Sequence, residues 1–233
     1  SELGHVLTDV QAGASQNSTH PWIAIFGNGY ESKSCKAMLY VVNLQTGARI
    51  KEIDTGAGNC TNAKNGLGGV RVVRNSMQQI IGAYAGDLRG NVWKFSFNNT
   101  DTNAWGVDLG GIPLLKAGAT QPLTAPPSVL KMPLATSVPV GPTAGYVVVA
   151  GTGKFFELSD ITTTAQQSLY SIWDPLEFGV TAPAGTHLDM SIPSDKAKLV
   201  EQTIGSSVTT TVNTFSTVSS NTVDYTATPA KRG

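Results

Sequence analysis

The chain has 233 residues, of which 14% are charged, and 16 Lys plus Arg balance 16 Asp plus Glu. That length is enough for a sizeable core in one large domain or two small ones. The balanced charge supplies no long-range field to draw the chain to nucleic acid or anionic lipid. Ser, Thr, Gly and Asn are abundant and strongly helical stretches are scarce, which predicts an all-β protein with many turns. No apolar run approaches the ~20 residues of a membrane helix, so membrane insertion is not expected; the densest run, Tyr146 to Ala150, is strand-sized. With no initiator methionine and no signal peptide, the sequence reads as a processed or excised piece.

In chain order, Leu3 to Ala14 has weak strand character, and Pro21 punctuates before the apolar strand Trp22-Ile23-Ala24-Ile25-Phe26. A polar loop with Cys35 precedes a second strand, Ala37 to Leu44. The turn Gln45-Thr46-Gly47 leads into the alternating run Ala48 to Ile53. Gly56 to Gly69 is turn-rich and holds Cys60 and Asn65-Gly66-Leu67. A short strand at Val70 to Val73 then leads to the stretch that organises the rest, Ile80 to Phe97. There two β runs flank a tight turn that holds Asp87 between Gly86 and Gly90. In the second run Trp93, Phe95 and Phe97 fall on one face and Val92, Lys94 and Ser96 on the other. Asp87 is placed to cap the turn, and Gly90 to take a positive φ. This is a β-hairpin of propeller-blade type.

A strand near Pro113 to Ala117 closes that unit, and Pro122, Pro126 and Pro127 mark the passage to the next. Its strands are predicted at Ser128 to Met132, Gly145 to Lys154 and Ser168 to Asp174. Beyond Lys198 no helix is expected, and the strand candidates are Leu199 to Ile204, Val208 to Phe215 and Thr222 to Tyr225. An apolar strand ending in glycine recurs at Phe26-Gly27, Ala85-Gly86 and Ala150-Gly151. Each recurrence precedes an apolar-aromatic strand, at Leu39-Tyr40, Val92-Trp93 and Leu169-Tyr170. A blade-sized period with variable loops predicts a β-propeller; the alternative is chance similarity among β-hairpins. The units are 20–56, 66–117 and 125–204 of a single propeller segment, with 205–233 supplying strands of a further or closing unit. Three blades cannot close a ring of the usual ~4–8, so the expected architecture is about three blades of an incomplete ring.

Candidate sites are few. Cys35 and Cys60 are compatible with a disulfide that closes the loop between them, worth roughly 3–4 kcal/mol in the chain-entropy model, or with two buried thiols; their spacing suits no zinc or redox motif. Gly151-Thr152-Gly153-Lys154 resembles the tail of a phosphate-binding loop. It lacks the earlier glycine, has Phe155 in place of Ser or Thr, and opens no helix, so it reads as a strand end. Gly27-Asn28-Gly29 fails as a dinucleotide fingerprint for the same reasons. His5, His20 and His187 have no ligand spacing, and no nucleophile elbow appears. Asp87, Asp160 and Asp174 read as caps, and Trp22, Trp93 and Trp173 as packing between blades. No catalytic, cofactor or metal residue is therefore assigned. Asn17, Asn59 and Asn98 begin glycosylation sequons at the frequency that chance supplies.

The motifs also resemble, in order and wording, the C-terminal propeller of the PilC/PilY family of type IV pilus biogenesis and tip-adhesin proteins. The matching pieces span nearly the whole chain: Leu3-Gly4, Phe26-Gly27-Asn28-Gly29-Tyr30, Leu39-Tyr40 with Thr46-Gly47, and Asn65-Gly66-Leu67. The most specific is Tyr84 to Phe95. After it come Gly151 to Lys154, Tyr170 to Asp174 and Val200-Glu201-Gln202-Thr203, and Val218 to Tyr225 with Lys231-Arg232-Gly233 looks like the final family motif.

The resemblance implies a quinoprotein-like propeller without catalysis, on the bacterial cell surface or pilus tip, at the outer membrane or in the periplasm. Implied partners are minor pilins and other pilus assembly components, and for some members a host surface. Many relatives carry a calcium loop where this chain has Val73 to Ile80, a stretch with no carboxylate and with Arg74, so no tight calcium site and no cofactor is expected there. Two rival readings are a quinone-dependent dehydrogenase, which would need an acidic calcium constellation that is not visible, and a propeller that binds host glycan or protein directly.

Overall fold

The computed structural model describes residues 3–132, 144–209, 214–226 and 231–233. It is nearly all β. The first sheet is antiparallel in chain order: β1 (Gln11–Ala14), β2 (Trp22–Gly27), β3 (Met38–Asn43) and β4 (Arg49–Asp54). The β3–β4 turn forms because the Asn43 side chain accepts from the Gln45 and Thr46 amides while Gly47 takes φ +71. Ile25 faces Val41 and Leu39 faces Ile53 across the ladders, and all four are buried. The alternation expected along β4 is imperfect: a register shift between Val41 and Val42 leaves Ile50 only half-buried.

The second sheet is built on β5 (Leu67–Arg74), β6 (Ile80–Asp87) and β7 (Asn91–Ser96), extended by β8 (Gly106–Val107) and β9 (Leu115–Lys116), both paired with β7. Every residue of β6 is buried, because the sheet is covered on both faces. Along β7 the two predicted faces separate. Trp93 and Phe95, with Phe97 beyond the strand, join Ile23, Ile25, Leu39 and Val41 of the first sheet in one core. Val92 turns the other way, into a second core with Tyr146, Val148 and Ile172. Each fully buried side chain of this kind stabilises the fold by about 1.5–3 kcal/mol, so two facing cores hold three sheets in a row.

The third sheet is β10 (Ser128–Lys131), β11 (Tyr146–Gly151) and β12 (Leu169–Asp174), antiparallel in that order. The chain then returns to the second sheet, where β13 (Leu188–Asp189) pairs in parallel with β9. A single-turn helix, α1 (Pro193–Lys196), follows, and β14 (Ile204–Thr209) pairs with β15 (Thr214–Val218) in a separate hairpin. At the free edge of β12 the Trp173 amide donates to the Arg232 carbonyl at 2.6 Å. β5 touches β1, β2 and β10, so one side of the second sheet meets both neighbours. The three sheets do not close on one another, as expected for part of a propeller ring.

Three sequence expectations are corrected. Trp22 is 57% exposed at the mouth of β2 and packs between no sheets, whereas Trp93 is buried and Trp173 half-buried against the edge of Tyr225. The strand expected over Leu199 to Ile204 begins only at Ile204, and Thr222 to Tyr225 forms no strand. Residues 210–213 of the Val208 to Phe215 candidate lie outside the described residues.

The second and third sheets meet over a glycine. A Cβ on Gly82 would collide with the Phe178 ring, which is buried against Tyr84 and Tyr146 with centroids at 5.4 and 5.1 Å. Gly82→Ala should therefore lower stability in urea unfolding by roughly 1–3 kcal/mol through overpacking, while Gly106→Ala, where a Cβ meets open space, should be close to neutral.

Candidate binding surface and the buried polar groups that position it

The organising hairpin is tied by its own carboxylate. Asp87 has no exposed surface and, among the described residues, no cationic partner, yet its oxygens accept five hydrogen bonds. The Arg89 and Asn91 amides close the turn at 2.9 Å each. The side chains of Asn65 (2.9 Å), Asn91 (2.8 Å) and Trp93 (2.8 Å) converge on the other oxygen. Capping was foreseen, but the side-chain donors make Asp87 a hub as well. A buried carboxylate persists only when its lone pairs are filled in this way.

Asn65 carries the hub into the first sheet. Its amide donates to the Cys35 carbonyl at 2.9 Å, and Cys35 is joined to Cys60 in a disulfide with Cα atoms 5.1 Å apart. Asn28 fixes the same corner, accepting from the Met38 and Leu67 amides and donating to the Lys36 carbonyl and Ser32 hydroxyl. Gly66 lies so close to the Gly29 carbonyl that no side chain fits, which gives the Asn-Gly-Leu motif a packing reason.

A second polar group lies between the second and third sheets. Lys94 is fully buried, and its ammonium sits 2.8 Å from Asp174, 3.9 Å from Asp108, and 2.7 and 3.3 Å from the Leu176 and Glu177 carbonyls. The Phe178 ring covers it with the centroid 4.8 Å away. Tyr84 donates to Asp174 at 2.7 Å. Burial, and then the Asp174 charge and that hydrogen bond, hold the Tyr84 phenol well above the usual tyrosine range. Asp174 also caps its own turn by accepting from the Leu176 amide. The group is sealed from solvent, and its donors and acceptors are matched to one another.

The surface feature that stands out lies on the connection from β11 to β12. Phe155 is 77% exposed, Leu158 85% and Ile161 63%, and Phe156 and Leu169 are exposed as well. The segment holding them is rigidly built: Leu158–Thr162 is a 3-10 turn opened by a capping box between Glu157 and Asp160. Lys154 bridges Glu157 at 2.8 Å and Asp160 at 2.9 Å and lies 4.8 Å from the Phe156 ring centroid. Burial works to lower the Lys154 pKa, and the two carboxylates outweigh it and raise it. Asp160 is held low by the Glu157 and Phe156 amides and by Lys154, against a smaller opposing effect of burial. Phe156 stacks on Tyr30, a residue of the first sheet's loop, with ring centroids 4.2 Å apart. Burial raises the Tyr30 phenol to about 12.

Of the residues weighed in the sequence, Cys35 meets Cys60, Asp87 meets Trp93 and Lys154 meets Asp160, and these contacts lie in separate parts of the fold. Gly151 to Lys154 is a strand end that leads into the apolar turn. The Asn75 side chain closes the β5–β6 turn by accepting from the Met77 and Gln79 amides. His20 meets Asn43 at 3.2 Å, and His5 lies 3.9 Å from Glu31. Asn17 and Asn59 serve as turn acceptors. Among the described residues no three or more His, Cys, Asp or Glu side chains gather where they could hold a metal ion. No helix there is long and apolar enough to cross a membrane. Two features escaped the sequence reading. Lys94 is placed by the sequence only on the face shared with Val92 and Ser96, with no sign of its burial, and the run Phe155-Phe156-Glu157-Leu158-Ser159-Asp160-Ile161 was passed over although its apolar density in a polar loop was a usable signal.

The Lys94 cluster makes a double-mutant prediction. Lys94→Met or Asp174→Leu alone should cost about 3–5 kcal/mol in urea unfolding, because each leaves an uncompensated buried charge. The double substitution should recover most of that loss.

Comparison with known proteins places the chain in a family. The sequence pattern of the PilY1 beta-propeller domain matches residues 1–214. A type IV pilus biogenesis factor PilY1 homolog of Xylella fastidiosa is 36% identical over 190 residues, covering 74% of this chain and 12% of that protein. The type IV pilus biogenesis factor PilY1 of Pseudomonas aeruginosa PAO1 is 33% identical over 232 residues, covering 88% of this chain and 18% of its own length. The crystal structure of the Pseudomonas aeruginosa PilY1 C-terminal domain superposes with a TM-score of 0.80 at 29% identity, over 99% of this chain and 49% of that one. The chain thus spans less than a fifth of the curated relatives and about half of the solved domain. It belongs to the PilY1 β-propeller family.

Proposed function

We propose that this chain serves type IV pilus biogenesis, as part of a cell-surface or pilus-tip protein that acts by binding and not by catalysis. Its partners in this reading are minor pilins and other pilus assembly components. The roles that follow are support of pilus extension, twitching motility and surface attachment, including attachment to a host. The place of action is the outer membrane, the periplasm or the pilus tip. The observation that carries the reading is the match of most of this chain to part of a propeller whose relatives are named pilus biogenesis factors. The chemistry of the chain agrees. Three of its buried ionisable side chains are occupied internally, Lys94 with Asp174 and Asp87 with turn amides and the Asn65, Asn91 and Trp93 side chains, and an apolar turn suited to protein contact is exposed.

Two measurements test this. In a strain lacking the parent protein, a version deleted for this domain should fail to restore surface pili that the intact version restores; full restoration by the deleted version would remove the assembly role from this domain. The β5–β6 turn, closed by Asn75 amide chemistry without a carboxylate, is proposed to bind no calcium tightly. The purified protein should therefore show no calcium-dependent rise in Tm and no absorbance of a bound quinone, and either signal would revive the dehydrogenase-like alternative.

A further inference from the structure

We propose that the hollow between the β6–β7 turn and the segment from Lys116 to Ala119 binds a sugar acid, a pyranose ring that carries one carboxylate. The proposal goes beyond the pilus reading and does not rest on it.

Strand register builds the hollow. Residues directly opposite one another across a ladder share a face of the sheet. Asn91 stands opposite Lys116, and Lys116 opposite Asp189, so these side chains form one row across β7, β9 and β13. The β6–β7 turn is held against the end of the row. The Ala117 amide donates to the Gly90 carbonyl at 2.7 Å, and a Cβ on Gly90 would collide with the Gly118 carbonyl. Arg89 of that turn lines the same cavity, whose volume is about 390 Å³ and which Met190 and Ser191 help to close. That is within the ~300–1,000 Å³ of small-molecule sites. The site also lies clear of any continuation of the ring. The second sheet already has the first sheet on one face and the third on the other. Further blades stack on the outer faces of those two, and the row stands at the edge of its sheet opposite β5, the strand that touches both.

Three side chains select the ligand. Arg89 is half-buried, yet its guanidinium has no hydrogen-bond or ion-pair partner among the described residues. The Lys116 ammonium lies 3.8 Å from an Asp189 oxygen, beyond hydrogen-bond reach, so its donors are open too. Asp189 accepts from the Ser191 hydroxyl at 2.6 Å and amide at 3.0 Å through its other oxygen. Those bonds hold its carboxyl below the usual range, and the oxygen near Lys116 stays free to accept. The lining thus carries two positive charges against one negative, an excess that one carboxylate neutralises. A guanidinium meets a carboxylate in a two-pronged contact, with the ammonium beside it. A phosphate dianion would bring more negative charge than the lining balances, and a neutral sugar would leave Arg89 unpaired. The Asp189 oxygen offers an acceptor to a hydroxyl, which a sugar acid carries next to its carboxyl-bearing carbon and an acidic side chain does not.

The test uses the purified full parent protein and D-glucuronate, with binding read by saturation-transfer NMR titration. Glucuronate should bind saturably, and glucose, inorganic phosphate and a glutamate blocked as amides at both ends should each bind about tenfold or more weakly by comparison. Arg89→Gln should keep its Tm, because the guanidinium holds no partner, and should weaken glucuronate binding about tenfold or more. Lys116→Gln, at a half-exposed position, is a second variant with a loss in the same direction. No saturable glucuronate binding, or binding that both variants leave unchanged, would overturn the site. Equal or tighter binding of phosphate, of glucose or of the blocked glutamate would overturn the assignment to a sugar acid.

Discussion

A lysine with no exposed surface lies between two sheets, and the joint between the second and third sheets depends on its neutralisation. Lys94 comes from the middle of a strand between the apolar Trp93 and Phe95, and its ammonium is met by Asp174 from the end of β12 and by two carbonyls just beyond it. A lone ammonium in that position would cost several kcal/mol, so the third sheet must bring its carboxylate to a particular place. Tyr84 and Phe178 then fill the space around the pair, and Gly82 leaves room for the Phe178 ring. Direction and register between the sheets follow from a requirement that purely apolar packing would leave loose.

The joint between the first and second sheets works differently. Its core is apolar, from Ile23 and Leu39 on one side to Trp93 and Phe95 on the other, and its polar element is confined to the corner. There Asp87 gathers five donors and Asn28 joins two loops, and the disulfide adds a covalent tie beside them. The apolar turn at Phe155 to Ile161 rises from this same framework, with Phe156 laid on Tyr30. Propellers in general present contact surfaces on turns and loops held by such a scaffold.

The segment after β12 gives the arrangement its second tie. Instead of continuing outward it returns to pair Leu188 with Leu115 on the second sheet, and Arg232 then lies along β12, donating from its Nε to the Trp173 carbonyl at 2.7 Å and from its Nη1 to the Thr186 carbonyl at 3.0 Å. Burial lowers the Arg232 pKa, with the charges of Asp174 and Asp195 opposing that shift. The second and third sheets are thus held by the lysine pair inside and by strand and arginine contacts outside.

Much of this was legible in the sequence because it is written in local pattern. The period of two along Trp93, Lys94 and Phe95 located β7 and its two unlike faces, and Asp87 with Gly90 located the turn, since cap and positive φ are properties of a few adjacent residues. The recurrence of strand, glycine and aromatic strand gave the propeller, and the order of motifs gave the family. What only the tertiary structure decided lies in long-range pairing. The burial of Lys94 depends on Asp174, eighty residues away in sequence. The exposure of Trp22 and the return of β13 to β9 depend on which sheet lies alongside, and no local spacing encodes that. The bareness of Phe155 and Leu158 is of the same kind: side-chain type sets the free energy of burial, but only the folded neighbours determine whether a side chain is buried.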